Sequence, residues 1–320
     1  MYVVTGGAGF IGSGVVRELN ARGVEDILVV DDLTQEGKFL NLRGAAISDY
    51  MDLREFRSRI EAGTFDAPVE AVLHNGACTD TMERDGRYML DNNFAYSKAV
   101  LHYALSRAVP LVYASSASVY GAGAESAEIA ENEDPLNVYA YSKWLFDRYA
   151  RRILPSAKST VVGLRYFNVY GPRERHKGRM ASMVYQLFGQ LARTGKARLF
   201  EGSGGYADGE QRRDFVFAGD VAAVNVFFAD GEPRRGIFNV GTGAARSFND
   251  IVRALAARLG KGKIEYIPFP ESLRGKYQSF TQADVSRLRA AGYVADFVSL
   301  EEGIARSVDA WREEQPPDAS

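Results

Sequence analysis

The sequence predicts an α/β chain, a doubly wound parallel sheet followed by a smaller C-terminal unit. Short apolar runs alternate with amphipathic stretches through the first half, a glycine cluster follows the first run directly, and the rhythm breaks after Gly171-Pro172. The strand-like runs are Tyr2–Thr5, Ile27–Asp31, Glu70–His74, Leu111–Ser115 and Thr160–Arg165, and the helical stretches include Phe10–Arg22, Tyr88–Arg107 and Tyr139–Ile153. Strands alternating with helices at this spacing are βαβ units, which build parallel sheets. Past residue 171, charged and glycine-rich loops, Glu174–Arg179 and Gly202–Arg213, interrupt shorter elements. Residues 171–320 are therefore expected to form the smaller unit. Within it, Asp214–Val240 again reads strand, helix, strand and is expected to rejoin the sheet of residues 1–170. The polar stretch after Trp311 is expected to fray.

Composition narrows the function classes. Of 320 residues 46% are hydrophobic and 25% charged, with a formal net charge of -2 at pH 7. That is ordinary globular composition, with no electrostatic footprint for nucleic acid or an anionic membrane. Cys78 is the one cysteine, so no internal disulfide forms, which fits a reducing compartment. Met1–Thr5 runs straight into glycines, leaving no room for a signal peptide, and no apolar run is long enough to span a bilayer. A cytoplasmic location is expected. His74, His102, His176 and Cys78 have no metal-ligand spacing, so no metal is expected, and His74 reads as a packed polar residue.

Gly6-Gly7-Ala8-Gly9-Phe10-Ile11-Gly12 sits between the first strand and the first helix. It reads G-x-G-x-x-G from Gly7 and G-x-x-G-x-x-G from Gly6. Glycines there let the backbone approach a pyrophosphate at a helix N-terminus, and Gly12 lets the helix pack closely on the strand. Asp31-Asp32 ends the second strand about 20 residues on, as a dinucleotide site requires. Residues 1–170 are thus expected to bind a dinucleotide, and residues 171–320 its substrate. The acidic pair suits a free ribose 2′-hydroxyl and hence NAD, whereas Lys38, with Arg43, offers charge to the 2′-phosphate of NADP. The residues alone leave both open.

Tyr139 and Lys143 form Y-x-x-x-K on a helix, an i, i+4 spacing that puts both on one face. A tyrosine hydroxyl titrates near 10. A neighbouring ammonium and a cationic nicotinamide are expected to lower that value, and the lysine is placed to hold the nicotinamide ribose. Ala114-Ser115-Ser116-Ala117 follows a strand at the carboxyl edge, where doubly wound sheets bind ligands. Ser116 there either bonds a reacting oxygen or caps the next turn.

These residues, with Asn75-Gly76-Ala77, Ser115 to Gly121, Arg165 to Pro172, Arg213 to Val216 and Asn239-Val240-Gly241, resemble the extended short-chain dehydrogenases/reductases that act on nucleotide sugars. The likeness runs over nearly the whole chain and implies a Rossmann fold of the extended type. Asn41-Leu42, Asp91-Asn92-Asn93, His176 to Ser182, Phe200 to Ser203, Tyr266 to Pro270 and Lys276 to Asp284 are more specific. They resemble the 6-epimerases of ADP-linked glycero-manno-heptose, which serve lipopolysaccharide core synthesis.

That resemblance implies transient oxidation at C6″ by bound NADP, with NAD the alternative, and return of the hydride to the opposite face. It implies Tyr139 and Lys177 as proton-transfer groups for the two epimers, assisted by Lys143 and Ser116. Cofactor contacts would come from Gly6, Gly9, Phe10, Ile11, Gly12, Asp31, Asp32, Lys38, Asn75, Gly76, Ala77, Cys78, Thr79, Asn92, Lys143 and Val169. Ser116, Asn168, Lys177, Arg179, Gln186, Phe200, Glu201, Gly202, Ser203, Arg213 and Tyr277 would hold the sugar nucleotide, Arg213 matching its diphosphate. A homo-oligomer, specifically a homopentamer, is also implied.

The chain departs from the family pattern in places. Asp32 stands for an asparagine and Leu53 for a basic residue, which weakens a 2′-phosphate site. Arg179 replaces a small polar residue, Gln186 a histidine, and the loop 204–211 is longer. A UDP-hexose 4-epimerase would share the glycine loop, Ser116, Tyr139 and Lys143, but has no use for His176-Lys177-Gly178. A 4,6-dehydratase would need an acidic pair where Ala117-Ser118 stand. A non-catalytic NAD(P)-sensing protein has no use for Tyr139 and Lys143.

Overall fold

The computed structural model describes residues 1–35, 37–271 and 277–314. Its strands are β1 (Tyr2–Thr5), β2 (Ile27–Asp31), β3 (Asp49–Asp52), β4 (Ala71–His74), β5 (Leu111–Ser116), β6 (Val161–Tyr166), β7 (Asn168–Tyr170), β8 (Lys196–Phe200), β9 (Arg212–Phe217), β10 (Arg235–Val240), β11 (Ala245–Ser247) and β12 (Lys263–Ile267). Seven form one sheet in the order β10-β6-β5-β4-β1-β2-β3, every pair parallel. The chain reverses its winding between β1 and β4, and the crevice beyond their carboxyl ends is where such sheets bind ligands.

Side chains alternate across the pleat, so Val3, Leu28 and Val72 join a buried cluster on one face while Val4, Val29 and Leu73 join one on the other. The helices Tyr96–Arg107 and Val138–Ile153 cover the first face, and Phe10–Ala21 and Ala218–Ala229 the second. A third cluster, around Leu187, Leu199, Ile251, Ile304 and Trp311, holds together the C-terminal layer of β8, β12 and their helices. β7, β9 and β11 make a small sheet between the two layers.

Three local features differ from the sequence reading. Of the stretch 214–240 only β10 rejoins the seven-stranded sheet, because β9 pairs with β7 and β11 instead. β3 carries no apolar run because it is an edge strand, Asp-Tyr-Met-Asp, with both aspartates exposed. The stretch 88–107 is not one helix: Asp91–Ala95 form a π turn between the helices Gly86–Leu90 and Tyr96–Arg107. Such bulges leave apolar periodicity nearly intact, so the pattern does not show them. Lys276 and residues 315–320 lie outside the described residues.

Beneath the carboxyl edge of β5 and β6 lies a buried ion network. Asp147 accepts from Tyr113 (3.1 Å), Ser115 (2.9 Å) and Arg165 Nε (2.9 Å). Arg165 also pairs with Glu133, which Arg151 holds from the other side at 2.5 Å. Arg165, Asp147 and Glu133 have side chains essentially without solvent exposure. Removing one partner of such a pair strands the others without water. Arg165→Leu should therefore cost about 3–5 kcal/mol, read as a lowered denaturation midpoint; an unchanged midpoint would show that the network does not contribute to stability.

Candidate active site

The glycine loop is shaped for close approach. Gly6 has φ +65°, and a Cβ there would stand 2.7 Å from the Gly76 nitrogen; one at Gly12 would stand 2.1 Å from the Gly6 carbonyl oxygen. The loop feeds the N-terminus of the helix Phe10–Ala21. Asp31 braces it: one carboxylate oxygen accepts the Ala8 N–H (2.8 Å), the other the Asp32 N–H (2.7 Å) and Lys38 Nζ (2.5 Å). Asp31 thus spends its acceptors on the protein.

Across the switch point runs the segment Asn75–Thr79. Asn75 Oδ1 accepts from the Tyr166 hydroxyl (3.0 Å), which in turn accepts from Asn225 (2.9 Å) on the helix Ala218–Ala229. Asn75 Nδ2 is buried and unpaired among the described residues. Buried amide donors are rarely left so, and this one marks a place for a ligand acceptor. The Cys78 backbone is clasped at both its N–H and its C=O by the side chain of Asn93 (2.8 and 2.9 Å). Asn93 is fully buried and also donates to Ser142 (3.0 Å), whereas Asn92 donates back to the Tyr88 carbonyl in the preceding helix. Sequence reasoning chose Asn92; which of two adjacent asparagines turns inward is decided by the π turn. The narrow glycine cradle, the helix N-terminus and the orphan amide together fit a dinucleotide.

Tyr139 and Lys143 lie on the helix Val138–Ile153, capped by Asn137. Lys143 Nζ donates to the Ala114 carbonyl (2.8 Å), and burial pushes its pKa down to about 8, against the pull of Asp147. Burial raises the Tyr139 hydroxyl, opposed by a hydrogen bond from Ser116. The pull of Ser116 is outweighed by burial. Ser116 caps the turn Ala117–Tyr120, accepting from the Ser118 N–H (3.1 Å) and hydroxyl (2.9 Å). With both lone pairs occupied, its own proton is directed at Tyr139. It caps and bonds at once.

The segment Arg175–Met180 is a 3₁₀ turn broken at Gly178 (φ 51°). It sets the Lys177 ammonium over the Phe10 ring, 5.5 Å from its centroid, so Lys177 stands above the glycine loop. Burial lowers its pKa, with Glu174 opposing. Glu174, which sequence reasoning passed over, is fully buried and ties the ends of the loop, accepting from Gly171 N–H (3.0 Å), Ser182 N–H (2.5 Å) and Ser182 Oγ (2.8 Å). Only its place in a charged run was visible, and such runs usually face water. Arg179 is 73% exposed and pairs with Asp80 (2.7 Å), bridging to the loop after β4.

Beside this lies a cavity of about 580 Å³ between β8, β9 and the helix Met183–Thr194. Asn168, Val169, Gln186, Phe200, Arg213 and Tyr277 line it, joined by Gln190, Arg198 and Gln211, which the sequence did not single out. Ser116, Lys177, Arg179, Glu201, Gly202 and Ser203 lie outside that lining. Arg213 is buried, its guanidinium stacked on Tyr277 at 5.0 Å, with no carboxylate within ion-pair distance among the described residues. Burial pushes its pKa down, which marks a cation awaiting an anion.

The family model for NAD dependent epimerases and dehydratases matches residues 2–241. The chain belongs to the NAD dependent epimerase/dehydratase family. It is 55% identical, over 97% of both chains, to the ADP-L-glycero-D-manno-heptose-6-epimerase of Alkalilimnicola ehrlichii. Among solved structures it resembles the ADP-L-glycero-D-manno-heptose-6-epimerase of Helicobacter pylori, with TM-score 0.84 and 31% identity over 96% of this chain and 95% of that one. It also resembles the UDP-glucose 4-epimerase of Thermus thermophilus, solved in complex with NAD, with TM-score 0.77 and 30% identity over 97% and 98%. The seven-stranded sheet is the Rossmann fold of this family, and the NAD held by the Thermus thermophilus relative supports a nicotinamide dinucleotide as the cofactor here. Among the described residues no helix is long and apolar enough to cross a membrane, and no cluster of His, Cys, Asp or Glu is arranged to hold a metal.

Glu174 also makes stability depend on pH. Burial raises its carboxyl from 4.5 to about 7, outweighing the bonds from Ser182 and Gly171. The folded chain then holds this proton more tightly than the unfolded one. The group's contribution is full below pH 4.5 and lost as pH rises through about 7. Glu174→Gln should remove that decline, so that thermal midpoints of variant and parent diverge across the same window. Parallel pH profiles would refute the shift.

Proposed function

We propose that this chain is an epimerase that inverts C6″ of ADP-glycero-manno-heptose, supplying heptose for the lipopolysaccharide core. The identity of 55% over 97% of both chains with a heptose epimerase carries the reading, against 30% with a UDP-glucose 4-epimerase. The cavity supports it. Arg213 supplies a bidentate cation for a diphosphate, and Phe200, Tyr277 and Gln211 offer aromatic faces and an amide to the nucleoside.

A bound nicotinamide dinucleotide supplies the acceptor and donor of the C6″ hydride. The chain's own residues move the proton. Oxidising a secondary alcohol releases the hydroxyl proton to a base, and reduction of the ketone from its other face needs a proton from an acid. Tyr139, bonded by Ser116, serves one orientation of the carbonyl and Lys177 the other, because transfer demands heavy atoms within about 3.2 Å. Lys143, anchored on Ala114, holds the ribose side.

The form of the dinucleotide turns on the end of β2. Lys38 is already bound to Asp31 at 2.5 Å, and the Asp32 carboxylate beside it is 40% exposed. Burial raises the Asp32 carboxyl, but Thr34 and Lys38 outweigh this and keep it ionised. A 2′-phosphate would meet an exposed negative charge there, so the local chemistry favours NAD over the NADP that the sequence resemblance implies. Protein purified and denatured should release NAD in near-stoichiometric amount by mass spectrometry; release of NADP alone would reverse this assignment.

The reaction itself is tested on two variants. Tyr139→Phe removes the hydroxyl and keeps the ring, and should slow turnover about 10²- to 10⁴-fold. Lys177→Met should retain the cofactor yet fail to equilibrate a mixed pool of the two C6″ epimers. Equilibration at the parent rate would leave Lys177 a surface cation and remove the heptose reading's most specific chemistry.

A further inference from the structure

Two loops from distant parts of the chain meet on one amide. Asn41 lies in the short turn Lys38–Leu42 and is only 6% exposed. Its Nδ2 carries two hydrogens, and both are spent. One goes to the carbonyl of Ala8 in the glycine loop (2.8 Å), the other to Nδ1 of His176 (3.1 Å). The sequence shows Asn41-Leu42 only as part of a resemblance, and the functional reading above gives it no role. We propose that Asn41 is a positioning residue that couples the cofactor loop to Lys177, fixing where that ammonium stands relative to the reacting carbon. The proposal rests on reading Lys177 as one of the two proton-transfer groups.

The geometry carries it from both sides. Ala8 is gripped at its N–H by Asp31, which also holds Lys38, and at its carbonyl by Asn41. One turn thereby locks the central peptide of the glycine loop. On the other side His176 is the neighbour of Lys177, whose ammonium rests over Phe10 of that same loop. His176 Nδ1 accepts only when unprotonated, and burial, with Lys177 and Lys38 nearby, pushes the ring's pKa down to about 4. Across the neutral range the ring is thus a fixed acceptor. A second stitch, from Arg173 Nε to Ser13 (3.1 Å), docks the start of the loop on the helix Phe10–Ala21. Glu174, Arg173 and Arg179 hold the rest of the segment, and among the described residues Lys177 has no carboxylate within ion-pair distance; the Asn41–His176 bond is the tie between the residue next to Lys177 and the turn that grips the glycine loop.

Positioning of this kind predicts an asymmetric defect. Each C6″ epimer of the ADP-heptose is mixed with the full-length holoprotein in a single turnover, and bound reduced nicotinamide is followed by absorbance. Lys177→Met identifies the epimer whose oxidation depends on that lysine. Asn41→Ala should slow oxidation of that epimer about 10- to 100-fold, as displacement of a reacting group by an ångström does, and leave the Tyr139-served epimer nearly unchanged. In the Lys177→Met background it should add nothing. His176→Ala removes the same bond from its other end and should reproduce the asymmetry, which keeps the idea testable if Asn41→Ala fails to fold. Equal slowing of both epimers, or no slowing, overturns the proposal. A parent protein that oxidises neither epimer defeats the heptose reading itself, and a parent that oxidises both with symmetric variants defeats only the role of Asn41.

Discussion

Asp147 sits four residues beyond Lys143 and eight beyond Tyr139, at the level where their helix crosses β5 and β6. Its carboxylate takes Tyr113 and Ser115 from β5 and Arg165 from β6, so three bonds fix the rotation and height of the helix against the sheet. Ser115 precedes Ser116, so one carboxylate sets the spacing between the serine and the tyrosine it bonds. The same charge sustains the Lys143 ammonium against burial. Buried ion pairs seldom repay their desolvation, and an apolar contact would serve stability as well. What an apolar contact would not give is register, and the site depends on register.

The same device recurs. Asp31 holds the glycine loop and Glu174 holds the loop of Lys177, each by spending carboxylate oxygens on backbone N–H groups and neighbouring donors. All three carboxylates are buried and engaged with the protein. The cations at the cleft are treated in the opposite way. Arg213 stacks on Tyr277, and Lys177 stands over Phe10, both on aromatic faces. An aromatic face orients a cation without neutralising it, which leaves its charge for an anionic or developing-anion ligand.

Much of this was legible in the residues. β1 and β2 match their apolar runs end to end, and β4, β5 and β6 match to within a residue, because central parallel strands are buried on both faces and must be apolar throughout. The glycine loop was legible because each glycine answers a steric demand. β3 was hidden by its exposed edge, and Asn93 by a helix bulge that changes which residue faces inward. Glu174 was hidden more deeply. A buried carboxylate in a run of arginines looks like a solvated surface until its donors, Gly171 and Ser182, are seen to close around it. Arg179 shows the reverse: a residue read toward the substrate that lies out on the surface, paired with Asp80. Periodicity reports faces of elements, and loops have none.

Burial acts in opposite senses on Tyr139 and Lys177, and if these are the two proton-transfer groups, as proposed, the reaction explains why that is useful. It raises Tyr139, a neutral acid, and lowers Lys177, a cationic one. Burial thereby favours the protonated hydroxyl of the tyrosine and the free base of the lysine. An inversion needs this combination: while one face is oxidised a base must accept a proton, and when the other face is reduced an acid must supply one. Were both groups bases, the ketone would form and find no donor; were both acids, the alcohol would never be deprotonated. Each turnover exchanges the two protonation states, so the reverse conversion starts from the exchanged pair. An aqueous tyrosine and lysine titrate close together near 10. Burial pulls them apart against the opposing pulls of Ser116 and Glu174, and docking of the Lys177 loop over the glycine loop is what takes that lysine out of water.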